Sequence, residues 1–258
     1  MSKVIAIAAR DLKSWLHTFS FYLFAAFFLA VSGYFFWSNI SYFSLVSYQV
    51  ATNPALEVRQ LNLTEGVLSS FLASIAALLL LLIPLLTMRS FAEEKERGTF
   101  ELLFTYPVSD IQIVLGKFIG ILAVLILLIS PTTAYFFLAQ VVGAKFETAS
   151  LLIGYGGLFL VGASFAALGI FMSSLTERQA VSAGIGFALL LFFWIVGWMA
   201  EWTSPALGTI FREISLVEHF RDIARGIVDT KDVSFFLLFI AFFLFATLST
   251  LEIRTWKR

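Results

Sequence analysis

The sequence predicts an all-α integral membrane protein with six transmembrane helices. Three observations carry that prediction. The 258 residues are 60% hydrophobic and only 13% charged, where a soluble domain carries about a quarter charged residues. Apolar runs near the length needed to cross a bilayer recur along the chain, which has a mean hydropathy of +0.93. The densest charge run, Met88 to Pro107, places seven charged residues among twenty between two of those apolar runs. A mixed-charge patch of that kind cannot lie in hydrocarbon and must project into water. Zero net charge gives no reason to expect a nucleic-acid partner, and the absence of Cys excludes disulfides and thiolate metal sites.

The first element, residues 1–18, alternates Val4, Ile5, Ala8, Leu12, Trp15 and Leu16 with Lys3, Arg10, Lys13 and His17. A helical period with a basic face and a Trp describes a helix lying in the membrane interface, against the plainer reading of a solvated lead. The apolar run that follows is too long for the apolar core of a signal peptide and reads as an uncleaved first span. The spans fall at about residues 19–37, 67–88, 111–142, 151–172, 179–200 and 233–251, and the whole chain, 1–258, reads as one transmembrane domain. The third run exceeds the roughly 30 Å hydrocarbon core and must tilt or project.

Lys and Arg in the connections set orientation. With the N-terminus inside, Lys3, Arg10, Lys13, Arg89, Lys95, Arg97, Lys117, Arg178, Arg254, Lys257 and Arg258 share one side, eleven against six. Both termini are therefore expected in the cytoplasm, with outer segments near 38–66, around Lys145–Glu147, and 201–232. Pro84 and Pro131 should kink the second and third spans. Gly and other small residues in the fourth and fifth spans suit close helix packing, with a substrate path along that surface as the alternative.

No ionisable residue is expected well inside a span, which argues against a proton-driven carrier. His17 and His219 are the two histidines and fall on opposite sides, so no histidine pair for catalysis or metal binding is expected. No catalytic residue or metal site is assigned. The P-loop pattern GxxxxGK[ST] is absent, so the chain holds no ATP in such a loop.

The charge run has readable local structure. The second span should continue past Met88 and end at Gly98, which tolerates the left-handed conformation. Thr99 would cap a short helix, Phe100–Tyr106, stopped by Pro107, and Ser109 with Gln112 forms an S-x-x-Q capping box for the third span. That short helix presents Phe100, Leu103 and Phe104 with no lipid to bury them, and so calls for a protein groove.

At these residues the sequence resembles the permease subunits of ABC-2 type transporters. Glu93-Glu94-Lys95-Glu96-Arg97-Gly98-Thr99-Phe100-Glu101-Leu102-Leu103 is similar to their E-E-x-x-x-G-T-[LF]-E-x-L signature. A second run, Ser215-Leu216-Val217-Glu218-His219-Phe220, then Ala224-Arg225-Gly226-Ile227-Val228-Asp229 and Asp232-Val233-Ser234-Phe235-Phe236, resembles the gliding-motility-type and nitrous-oxide-reductase-maturation-type permeases. Ala8 to Ser14 is similar to their A-x-[KR]-[ED]-L-[KR] start, and Phe235 stands where they commonly have Tyr.

The resemblance implies a permease in the prokaryotic cytoplasmic membrane, paired with a second copy or paralogue and with separate ATPase subunits that hold ATP and Mg. An accessory membrane or periplasmic component would fit the same picture. It implies a cytoplasmic coupling helix between spans two and three, seated in the ATPase, in which Glu93, Glu94, Glu96, Arg97 and Glu101 orient and Phe100, Leu103 and Phe104 anchor. It also implies re-entrant external helices between spans five and six, including His219, Phe220, Arg225, Gly226 and Asp229. The function expected is ATP-driven transport, with export as the direction. The alternatives are a non-transporting signal transmitter that acts on an external partner and a passive channel.

Overall fold

The computed structural model describes residues 2–52, 64–98, 108–141, 143–144 and 146–256. It is helical throughout, with no strand among the described residues. Among the described residues, six helical stretches are long and apolar enough to cross a membrane: Phe19–Thr52, Gly66–Glu96, Asp110–Val141, Thr148–Leu175, Gln179–Trp202 and Thr230–Glu252.

In chain order, α1 (Ser2–Leu16) leads into α2 (Phe19–Thr52). Next come α3 (Ser69–Thr87), the single turn and a half α4 (Ala92–Glu96), and α5 (Asp110–Ile129). A 3-10 turn over Ser130–Thr132 leads to α6 (Thr133–Val141), then α7 (Thr148–Leu175) and α8 (Gln179–Ile195). A 3-10 stretch, Val196–Trp202, precedes α9 (Pro205–Ile214), α10 (Leu216–Ala224) and α11 (Thr230–Trp256).

α7 is the axis of the bundle and packs against α3, α5, α8, α10 and α11. Its glycines make those approaches close. A Cβ on Gly154, Gly157, Gly162 or Gly169 would come within 2.6 Å of Leu72, Ile223, Leu125 or Thr87. In a membrane, where lipid tails are as apolar as Leu, such backbone-close packing is a main source of helix association. α2, α8 and α11 leave broad apolar faces bare, including Phe27, Trp37, Phe192, Phe242 and Phe245. Those faces suit hydrocarbon.

Three boundaries differ from the sequence expectation. α2 runs to Thr52, where a loop was expected from residue 38. Its polar residues stay helical because they bond back one turn: Asn39 Nδ2 to Phe35 O at 2.8 Å, Ser47 Oγ to Phe43 O at 2.8 Å and Thr52 Oγ1 to Tyr48 O at 2.9 Å. The third span is interrupted rather than kinked, since Pro131 falls inside the 3-10 turn. The helix of the second span does not continue through Met88. It breaks at a turn, because Ser173 Oγ accepts the Phe91 and Ala92 N–H groups at 3.0 Å each and removes them from the ladder.

On the half of the bundle away from α1, an aromatic cluster joins α2, α3 and α6. Phe36 and Phe71 meet Phe136 with ring centroids 5.0 and 5.3 Å apart. Tyr135 Oη donates to Leu29 O at 2.9 Å. Offset and edge-on aromatic pairs add about 0.5–1.5 kcal/mol each beyond their buried area.

Candidate functional site

Two polar assemblies stand out in this apolar chain, one at each end of the bundle. The first is a charged junction where α1, α4, α5 and the end of α7 meet. α4 is held there by three neighbours. Ser173 Oγ accepts two N–H groups at its start and donates to Met88 O at 3.1 Å. Lys95 Nζ donates to Ser174 O and, at 3.4 Å, to Thr176 O. A cation on the last carbonyls of α7 also complements the negative end of that helix. Glu94 Oε1 accepts from Lys117 Nζ of α5 at 2.8 Å.

Lys117 is the centre of this junction. Its side chain is only 3% exposed, with Asp11 Oδ2 at 3.9 Å and the Phe91 ring centroid at 5.0 Å. Arg10 adds a second link, 3.1 Å from Asp11 and 3.8 Å from Glu94. Beside the network lies a cleft of about 770 Å³ bordered by Arg10, Asp11, Arg89, Glu93, Glu94 and Lys117. At its edge the Arg89 guanidinium lies 4.8 Å from the centroid of Trp15.

The site residues expected from sequence divide clearly. Glu93 pairs with Arg97 at 2.7 Å along α4, and Glu96 is exposed. Glu94 faces inward to Lys117. Gly98 takes φ +67°, the left-handed conformation expected of it, and a Cβ there would meet nothing within 4 Å among the described residues. Ser109 N–H donates to Gln112 Oε1 at 3.4 Å, in the register expected of the capping box. Thr99, Phe100, Glu101, Leu103 and Phe104 lie outside the described residues.

Lys117 escaped notice because it counted only as a boundary charge. The signal was available: a Lys between Gly116 and Gly120, seven residues into an otherwise apolar run.

The second assembly lies where α9 and α10 meet the start of α11. His219 Nδ1 lies 2.7 Å from Asp232 Oδ1 and its Nε2 lies 3.0 Å from Glu213 O. Its ring stacks on Phe235 at 4.0 Å. Phe220 is buried. Arg225 stays at the surface, with Asp222 at 3.9 Å. Gly226 has φ +87°, and a Cβ there would meet Ser150 Oγ at 2.7 Å, so only Gly fits this close turn. Asp229 Oδ1 accepts the Lys231 N–H at 2.9 Å, an N-cap for α11. Asp232, quoted in the sequence run but not singled out, is the buried partner of His219. At the rim, Lys231 Nζ donates to Glu213 Oε1 at 2.6 Å and holds that carboxyl below the ordinary carboxylate range.

No group of His, Cys, Asp and Glu suited to a metal ion occurs among the described residues. Six membrane-length helices, a junction that pins a short charged helix, and a helical cap at the other end define a multi-pass helical membrane protein. The chain belongs to the ABC-2 family of transporter proteins, which matches residues 5–253. It is similar to a probable ABC transporter permease protein, NosY, of Pseudomonas aeruginosa, with 32% identity over 163 residues. That match covers 58% of this chain and 58% of the relative, so the chain aligns with somewhat over half of the relative's length.

Proposed function

We propose that this chain is the permease subunit of an ATP-driven transporter, forming one transmembrane domain that works with a separate ATPase. The observation that carries the reading is the clamped α4. A five-residue charged helix is pinned to α5 and α7 by Glu94, Lys95 and Ser173, immediately before the segment 99–107. A segment so anchored passes force into the bundle instead of absorbing it. Family membership supports the partner, since such permeases draw their energy from ATPase subunits.

In this reading the ATPase holds ATP and Mg and seats the coupling segment, with Phe100, Leu103 and Phe104 as apolar anchors and Glu96, Arg97 and Glu101 orienting by charge. A second copy or a paralogue completes the path, and an accessory membrane or periplasmic component is compatible with it. The short helices α9 and α10 re-enter the outer leaflet. Both termini lie in the cytoplasm of a prokaryotic cell, and transport runs outward.

The test is to change Phe100 and Phe104 to Asp and measure ATPase binding and ATP hydrolysis in the purified complex. Full retention of both would sink the assignment. Orientation is checked by single cysteines at Ser14 and Thr203 in this Cys-free chain: an impermeant thiol reagent on whole cells should label only Thr203→Cys. ATP-dependent flux in liposomes separates transport from the alternative of a signal transmitter.

A further inference from the structure

The Lys117 ammonium is nearly dry, and three different elements supply its surroundings. Glu94 comes from α4, Asp11 from α1, and the Phe91 ring from the turn that precedes α4. A buried cation stripped of one partner is strongly destabilised, because nothing replaces the lost hydration. Displacement of α4 alone would take away the Glu94 acceptor at 2.8 Å and leave Asp11 at 3.9 Å.

The same helix turn is also where α1 docks. Gly116 and Gly120 bracket Lys117 and bring the α1 backbone close. A Cβ on Gly116 would lie 2.8 Å from Ile7 Cβ and 3.2 Å from Val4 O, and one on Gly120 would lie 3.4 Å from Ala8 O. The two glycines, four residues apart, form a small-residue groove for α1. The charge directly follows the first of them.

We infer that Lys117 is the joint through which movement of α4 reaches the interfacial helix, with Lys117, Glu94 and Asp11 making α1, α4 and the first turns of α5 one rigid transmission unit. The inference rests on the coupling role proposed above and adds a route: force entering at α4 swings the amphipathic α1 and the third span together. Lys117 is a positioning residue, acting through Glu94 and Asp11. Arg10, linked to both carboxylates, braces the joint from the exposed side.

Two measurements test it. The first uses the permease alone, comparing amide hydrogen exchange in wild type, Lys117→Gln and Lys117→Arg. Lys117→Gln should raise exchange in α1 and α4 together by about tenfold or more, and Lys117→Arg much less. No change, or a change confined to α5, overturns the joint. Should Lys117→Gln fail to fold, Glu94→Gln takes its place, because it breaks the same contact from the α4 side, and exchange must then rise in α1 and α4 together.

The second measurement uses the ATPase subunit that co-purifies with wild type. Lys117→Gln should keep ATPase binding while losing most permease-dependent ATP hydrolysis. Loosened exchange with unchanged hydrolysis overturns transmission and leaves a structural clamp. If wild type binds no ATPase, the proposed function fails and the transmission role fails with it, while the exchange result still judges the joint.

Discussion

Gly169 of α7 faces Thr87 of α3 so closely that a Cβ on the glycine would lie 2.1 Å from Thr87 Oγ1. That hydroxyl is fixed, donating to Ile83 O at 3.0 Å within its own helix. Thr87 is fully enclosed and cannot give way without moving α3. Gly169→Ala should therefore destabilise the bundle by about 1–3 kcal/mol, the range for overpacking a dense core. Thermal unfolding in detergent measures it, with Gly184→Ala, which faces open space, as the control that should cost nothing.

Ser173 satisfies three backbone groups with one hydroxyl: it accepts the N–H of Phe91 and Ala92 and donates to Met88 O. Ser173→Ala leaves buried donors without a partner, at about 1–3 kcal/mol. The loss should be local, since all three bonds go to backbone groups between Met88 and Ala92. Faster amide exchange at Phe91 and Ala92 is the expected sign, with the α7 amides unchanged. Equal acceleration along α7 would show that Ser173 supports its own helix instead.

The Glu213–Lys231 pair carries a defined pH dependence. Hydrogen bonding from Lys231 depresses the Glu213 carboxyl, so its stabilisation is complete above the ordinary carboxylate range and disappears as pH falls through the lowered value. Both side chains are about half exposed, and water screens the pair. Lys231→Ala should restore an ordinary Glu213 titration, readable by carbon-13 chemical shift, while leaving the neutral-pH unfolding temperature unchanged within error. A clear fall at neutral pH that vanishes in acid would show that the pair fastens α9 to α11.

The number of spans was legible because hydrocarbon thickness fixes the length of an apolar run, and the chain carries few charges to blur its ends. Gly98 and the Ser109–Gln112 box were legible because their signals are local. The length of α2 was missed because its Asn, Ser and Thr residues read as a loop, while their hydroxyls and amides bond to carbonyls one turn back. The junction was invisible for another reason. Asp11, Glu94 and Lys117 are far apart in sequence, and only the docking of α1 on Gly116 and Gly120 brings them together. The same holds for His219 and Asp232. Both stand in one recognised run, but their pairing depends on the turn at Gly226 and the cap at Asp229.

That pair allows a final prediction. Both nitrogens of His219 face acceptors, Asp232 Oδ1 and Glu213 O, inside a nearly dry pocket stacked on Phe235. Removing one member strands the other. His219→Phe and Asp232→Leu should each cost about 3–5 kcal/mol, whereas the double variant carrying both should recover much of that loss. The two losses should therefore be far from additive in a double-mutant cycle of thermal or chemical unfolding. Additive losses would mean that the two residues are not coupled. If the double variant folds stably yet loses ATP-dependent flux, the pair serves transport, because a purely structural pair would be dispensable once its volume is refilled with apolar side chains.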